Sequence, residues 1–378
     1  MLKISKIKSI RLIALFLMPL ILGGCYMVST PKTSKPVYTP TYSISESQFR
    51  SQYINSMIAP KGNLQWRYVT SGPVESSPAT WNNLVLFGAN DKTFYAVNRT
   101  NGLQEWSFKA DGPITSSPCI LGNTVFFGSK DSKIYALDIN TGLVKWTYKT
   151  GGEVNSSPAI RHNYLVAGSR DKNVYAFDAS SGDIIWTFKT NSVIDSSPII
   201  DNGIVYIGSY DRHLYALNLS DGKPIWAFRT EGIISGSPIS NHNTVFIGSM
   251  DGNLYAIDKK TGSLKWNYKT GGLINSTPAA DNRRVYVGSF DGTMYALDLT
   301  TGQLVWKFET PGSINSSPAI VGNTLFFGSG DKNIYSLNAM TGHLFWEYAT
   351  GDMIISSPLI NNGTLYIGSK DSRLYALK

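Results

Sequence analysis

The feature that most restricts this chain is a 40-residue period that never slips. Tryptophan recurs as Trp66, Trp106, Trp146, Trp186, Trp226, Trp266, Trp306 and Trp346. A Ser/Gly-Ser/Thr-Pro triplet ends at Pro78 and at every such step to Pro358, and a Gly-Ser or Gly-Ala pair starts at Gly88 and recurs to Gly368. Asp91 through Asp371 and Tyr95 through Tyr375 form two further columns. Equal units with no insertion between them specify a repeat architecture, in which each unit completes its core against its neighbours.

Each unit splits into four short runs of period-two alternation separated by turn residues, which predicts four strands. In the unit after Trp66 they are Val74–Thr80, Leu84–Ala89, Thr93–Asn98 and Leu103–Phe108, here lettered A to D. Asn-Asn, Asn-Asp and Thr-Asn-Gly fill the gaps with residues that accept left-handed backbone. The Gly in strand B suits a bend or a close backbone approach. The Asp three residues later is expected to cap the B–C turn, and its repetition marks it as structural. Nothing in the unit offers a helical run.

A four-stranded sheet cannot bury both of its faces alone, so the units must stack, and strand-rich units of this length predict a β-propeller. No tryptophan is followed by Asp and no unit opens with Gly-His, which sets the pattern apart from WD-type repeats. The chain begins its first unit with a D-type strand, Leu64–Val69, and ends at Leu377-Lys378 just after a C-type strand. Eight complete blades then require the N-terminal strand to finish the last one. The expected fold is all-β, an eight-bladed propeller closed by a shared blade, which removes the open edges of a linear stack. The tryptophans are expected to pack between neighbouring blades.

Residues 1–24 carry Lys3, Lys6, Lys8 and Arg11, no acid, and an apolar run from Leu12 to Leu22 that is too short to span a bilayer. That pattern predicts a secretory signal peptide. Its end, Leu22-Gly23-Gly24-Cys25, resembles the lipobox of bacterial lipoproteins, which implies acylation of Cys25. More than one acyl chain anchors a protein firmly. Tyr26 stands where an Asp would favour inner-membrane retention in the enterobacterial sorting pattern, so the outer membrane is expected. Residues 25–60, rich in Ser, Thr, Pro and Tyr, are expected to be a flexible tether, and 61–378 to be the propeller.

Charge and composition exclude several functions. Once four basic residues leave with the leader, 30 basic face 26 acidic residues. Lys32, Lys35 and Arg50 against Glu46 in the tether leave the ring close to neutral, a poor nucleic-acid binder. With Cys25 acylated only Cys119 remains, in a column of small apolar residues, so it is expected to be buried and to form no disulfide. There is no Walker-type loop and no Gly-x-Ser-x-Gly elbow. His162, His213, His242 and His343 are scattered without local carboxylates, and cysteine pairs for structural zinc are absent.

The succession Ser-Ser-Pro, Gly-Ser-x-Asp, Tyr-Ala-Leu-Asp, Thr-Gly, Trp resembles the pyrroloquinoline-quinone-type (PQQ-type) propeller repeat, over residues 62–378. The resemblance implies an eight-bladed ring. It also implies one of three uses: quinoprotein dehydrogenase, extracytoplasmic sensor, or lipoprotein of the BamB type in outer-membrane barrel assembly. Lipobox, tether and a single ring fit the last best, with the barrel-assembly complex as expected partner and no enzymatic activity. The alternative is a quinone- or glycan-binding sensor, or a dehydrogenase-like enzyme. The column before each Ser-Ser-Pro is expected to face the channel. It reads Glu75, Thr115, Asn155, Asp195, Ser235, Asn275, Asn315, Ile355, too few convergent carboxylates for the calcium and quinone of the dehydrogenases, so no cofactor is expected.

The residue between Gly-Ser and Asp should project from the B–C turn of each blade, all on one rim. It is Asn90, Lys130, Arg170, Gly330 or Lys370 in five blades, but Tyr210, Met250 and Phe290 in three consecutive ones. Those three are the expected partner-binding patch.

Overall fold

The computed structural model describes residues 58–378; the leader and residues 25–57 of the expected tether, Cys25 among them, lie outside the described residues. Those residues form 32 strands in eight antiparallel sheets of four. Each sheet is one blade, ordered A-B-C-D. Blade one comprises Ala79–Trp81, Leu84–Gly88, Thr93–Asn98 and Gln104–Lys109. The all-β propeller read from the sequence is the observed fold.

Strand A is shorter than its alternation suggests. Only Ala79–Trp81 pairs, although Val74–Thr80 was expected. Pro78 has no N–H to give a ladder, and the Gly88 N–H goes to the Ser76 hydroxyl at 3.2 Å. The same bond recurs from Gly128 to Ser116 and from Gly168 to Ser156, so serine side chains take the place of strand pairing beside the axis. Gly88 itself is needed for blade contact: a Cβ there would lie 2.2 Å from Ile114 of the next blade.

Closure follows the offset in the repeat. Leu64–Val69 pairs antiparallel with Arg373–Leu377 and completes blade eight. Asn63 and Lys378 exchange backbone hydrogen bonds of 2.9 and 2.8 Å. They occupy the places that Leu103 and Asn98 hold in blade one, where a covalent C–D turn joins them. The ring is thus a circle of equal blades cut at one C–D turn.

Each of the eight periodic tryptophans joins two blades. The Trp66 Nε1–H donates to the Arg99 carbonyl at 2.9 Å and Trp106 to Ile139 at 3.0 Å, and Trp346 closes the circle onto Pro60 at 3.0 Å. The indole lies on the C–D turn glycine of the next blade: a Cβ on Gly102, whose φ is +72°, would sit 2.7 Å from the Trp66 ring. Trp186 is buried and the other seven are half-buried. The recurrent Asp caps its turn as expected. In blade one, Asp91 accepts from the Thr93 N–H at 2.9 Å, the Tyr95 hydroxyl at 2.7 Å and the Ser71 N–H at 2.9 Å.

The core consists of clusters spanning adjacent blades, such as Leu86, Phe94, Ile114, Val125 and Phe127 across blades one and two. Cys119 is buried in the next such cluster, and burial pushes its thiol well up. The antiparallel meander sends the B–C turns and the D–A segments to one rim. The A–B and C–D turns, with Ile58 and Lys378, lie on the other.

Candidate channel mouth and docking rim

On the axis lies a cavity of about 310 Å³. All eight residues of the column before the Ser-Ser-Pro type triplet line it: Glu75, Thr115, Asn155, Asp195, Ser235, Asn275, Asn315 and Ile355. Beneath them runs a girdle of hydroxyls, Ser77, Ser117, Ser157, Ser197, Ser237, Thr277, Ser317 and Ser357. The girdle is bonded blade to blade. Ser77 N–H donates to the Ser117 hydroxyl at 3.0 Å, Ser117 to Ser157 at 2.9 Å, Ser157 to Ser197 at 2.9 Å and Ser197 to Ser237 at 3.0 Å. From Thr277 the chain of bonds resumes through Ser317 and Ser357, and Ser357 N–H reaches Ser77 at 2.9 Å. Serine is suited to this column because it offers a short acceptor to a neighbour's backbone while burying almost no bulk.

The two carboxylates of the channel column are both held by basic tips of the preceding blade. Arg170 grips Asp195 through Nε and Nη2, each at 2.9 Å, and Asn155 Nδ2 adds a bond of 3.0 Å. Burial works to raise the Asp195 carboxyl, but Arg170, the Tyr210 hydroxyl and Asn155 outweigh it and hold the group below the usual carboxylate range. Burial and the Asp195 carboxylate push the Tyr210 phenol up to about 12. At the corresponding position of blade eight, Lys370 lies 3.4 Å from Glu75. The sequence reading expects Arg170 and Lys370 only to project from their turns and misses this pairing. The signal was available, since a basic tip precedes an acidic channel residue by one fixed repeat offset in both cases. Asn275 bonds Asn315 at 2.8 Å, so that part of the column is neutral and internally paired.

The apolar tips divide. Tyr210 and Met250 lie at the channel mouth, while Phe290 lines a separate hollow with Leu273, Lys269 and Asp251. A second apolar column backs them. Each tip N–H donates to the carbonyl of a residue in the D–A segment: Tyr210 to Val193 at 3.0 Å, Met250 to Ile233 at 2.8 Å, Phe290 to Leu273 at 2.9 Å. In the other blades that pair is Asn90 with Pro73, Lys130 with Pro113, Arg170 with Glu153, Gly330 with Ser313 and Lys370 with Met353. Both members are large and apolar only in blades four, five and six. Phe290 is 41% and Leu273 43% exposed.

Among the described residues no group of three or more His, Cys, Asp or Glu is placed to hold a metal ion. His162 and His242 sit in A–B turns with positive φ, and His213 bonds the Asp211 carbonyl through Nδ1 at 3.0 Å. Cys25, the expected acylation site, lies outside the described residues.

The family described as outer membrane protein assembly factor BamB matches residues 149–232 and 229–378, more than half of the chain. The chain belongs to that family. No curated protein matches it. Among solved structures, BamB from Moraxella catarrhalis superposes with a TM-score of 0.74 at 19% identity, over 84% of this chain and 99% of that one. The computationally designed Ika8 protein gives 0.75 at 18% identity, over 84% and 99%. The quinohemoprotein alcohol dehydrogenase of Comamonas testosteroni gives 0.76 at 13% identity, over 87% and 78%. At these identities the likenesses establish the propeller fold alone.

Proposed function

We propose that this BamB-family chain is a non-catalytic scaffold, anchored through acylated Cys25 to the periplasmic face of the outer membrane. There its tip rim docks a protein of the barrel-assembly machinery. Family membership and the sequence of residues 1–25 support the setting. One observation carries the docking role: tip and backing residue are both large and apolar in three consecutive blades and in no other. Burial of the core does not need them, since Phe290 and Leu273 remain more than 40% exposed. Aromatic, Met and Leu side chains gathered on one rim, flanked by the charged Arg170 tip on one side and by Gly330 on the other, have the composition of an interface centre. The channel carboxylates, engaged by Arg170 and Lys370, are neutralised as a scaffold can tolerate.

The test is affinity capture from native envelopes of the wild-type chain and of a Met250→Asp, Leu273→Asp, Phe290→Asp variant. Tyr210 is left intact because its phenol and the Asp195 carboxylate influence one another at the channel mouth, and a carboxylate there would disturb the channel as well. The variant is expected to keep its membrane fractionation and its melting temperature while losing the barrel-assembly proteins. Undiminished capture by the folded variant would remove this rim as the docking site.

A further inference from the structure

We propose that the axial channel is a binding site for a small oxyanionic molecule, one carrying a phosphate, sulfate or carboxylate group. The inference begins with unused protons. Ser77, Ser117, Ser157, Ser197, Ser237 and Ser357 line the cavity and are each at least nine-tenths buried. Each hydroxyl oxygen accepts a neighbour's backbone N–H at 2.9 or 3.0 Å. None of the six hydroxyls donates to an acceptor among the described residues. A serine hydroxyl carries one proton and two lone pairs, so a fixed N–H on the oxygen turns the proton elsewhere. The open direction is the cavity, and the protons converge there from around the ring.

Convergent donors decide the sign of the ligand. A cation would meet outward-turned protons and oxygens already engaged by N–H groups, whereas an oxyanion offers the acceptors that they lack. The mouth agrees. Its two carboxylates are matched by Arg170 and Lys370, while Lys130 lines the same cavity and has no carboxylate partner among the described residues. Glu153 also lies 3.8 Å from Arg170, so the mouth is close to charge balance, and Lys130 is the basic group there left without a carboxylate partner among the described residues. Hydrogen bonds to an ion gain strength where water is largely excluded. A volume of about 310 Å³ suits a ligand of metabolite size.

The test is calorimetric titration of the purified full chain with inorganic phosphate and, separately, with succinate, at constant ionic strength set by sodium chloride. Saturable binding of one equivalent of either anion is expected. Phosphate alone would identify a tetrahedral group, and succinate alone a carboxylate. Lys130→Gln should weaken binding about tenfold, the loss of one charge-assisted bond, while Lys130→Arg retains it. A Ser157→Ala, Ser197→Ala double variant should weaken it comparably. Lys130 is only half-buried, so its variants remain folded if the serine pair does not. Absence of saturable heat with both anions up to about 10 mM, or equal affinity in Lys130→Gln, overturns the proposal.

Discussion

Arg170 reaches across a blade boundary to Asp195 and clasps its carboxylate through two bonds of 2.9 Å. The Asp195 side chain is 14% exposed and the Arg170 side chain 40%, so the pair is half in solvent and partly screened. Arg170→Gln should lower stability by roughly 1–2 kcal/mol, the lower range for a bond to a charged group. Its pH dependence follows from the depressed Asp195 pKa. The pair's contribution is present in full above the unfolded carboxylate value of about 3.9 and is lost as pH falls through the folded value. Denaturation midpoints of wild type and variant should therefore differ most near neutrality and converge in acid. A gap that widens in acid would contradict this account.

Trp186 is the one buried indole of its column, and its Nε1–H donates to the Leu219 carbonyl at 2.7 Å. Trp186→Ala removes a blade-to-blade contact and its hydrogen bond, at a cost of roughly 3–5 kcal/mol. The same change at half-buried Trp66 should cost less. Denaturant titrations of both variants give the comparison, and equal losses would mean that exposure does not set the energetics of this column.

Deletion of Leu64–Val69 leaves blade eight with three strands and an unpaired edge along Arg373–Leu377. An open edge of that kind pairs with other chains. Loss of cooperative unfolding or aggregation during purification is expected. A soluble deletion variant with unchanged melting would show that closure contributes little to the ring.

Cys25→Ser should leave an exported protein that no longer pellets with outer membranes. Membrane fractionation with radiolabelled fatty acid provides the check. Retention of label and of membrane association by the variant would remove Cys25 as the anchor.

The ring was legible in the sequence because each of its determinants repeats. Trp66 and Gly102, or Asp91 and Tyr95, sit at fixed offsets in every blade, and alternation marks strands B, C and D to within about one residue. Strand A was less legible because its alternation from Val74 onward reflects burial of Val74 and Ser76 around a bend, without strand pairing before Ala79. The channel column was readable, since each member precedes a Ser-Ser-Pro type triplet. The charge pairing in it was not read, because Arg170 and Asp195 belong to different columns and meet only when successive blades pack. The apolar rim was half visible: Tyr210, Met250 and Phe290 stand out against polar tips. Val193, Ile233 and Leu273 join them only through backbone bonds between the B–C turn and the D–A segment.

The cut in the circle also has a mechanical meaning. The chain enters at Ile58, on the rim opposite the apolar tips, and runs up through Leu64–Val69 alongside Arg373–Leu377. A pull at the N-terminal end directed away from that rim acts along the strand axis. It loads the hydrogen bonds of this antiparallel pair together, in shear, and the Asn63–Lys378 exchange shares the load at its base. Tension between an anchor and a docked partner would thus be borne in parallel by the seam that closes the ring, which would fail as a unit.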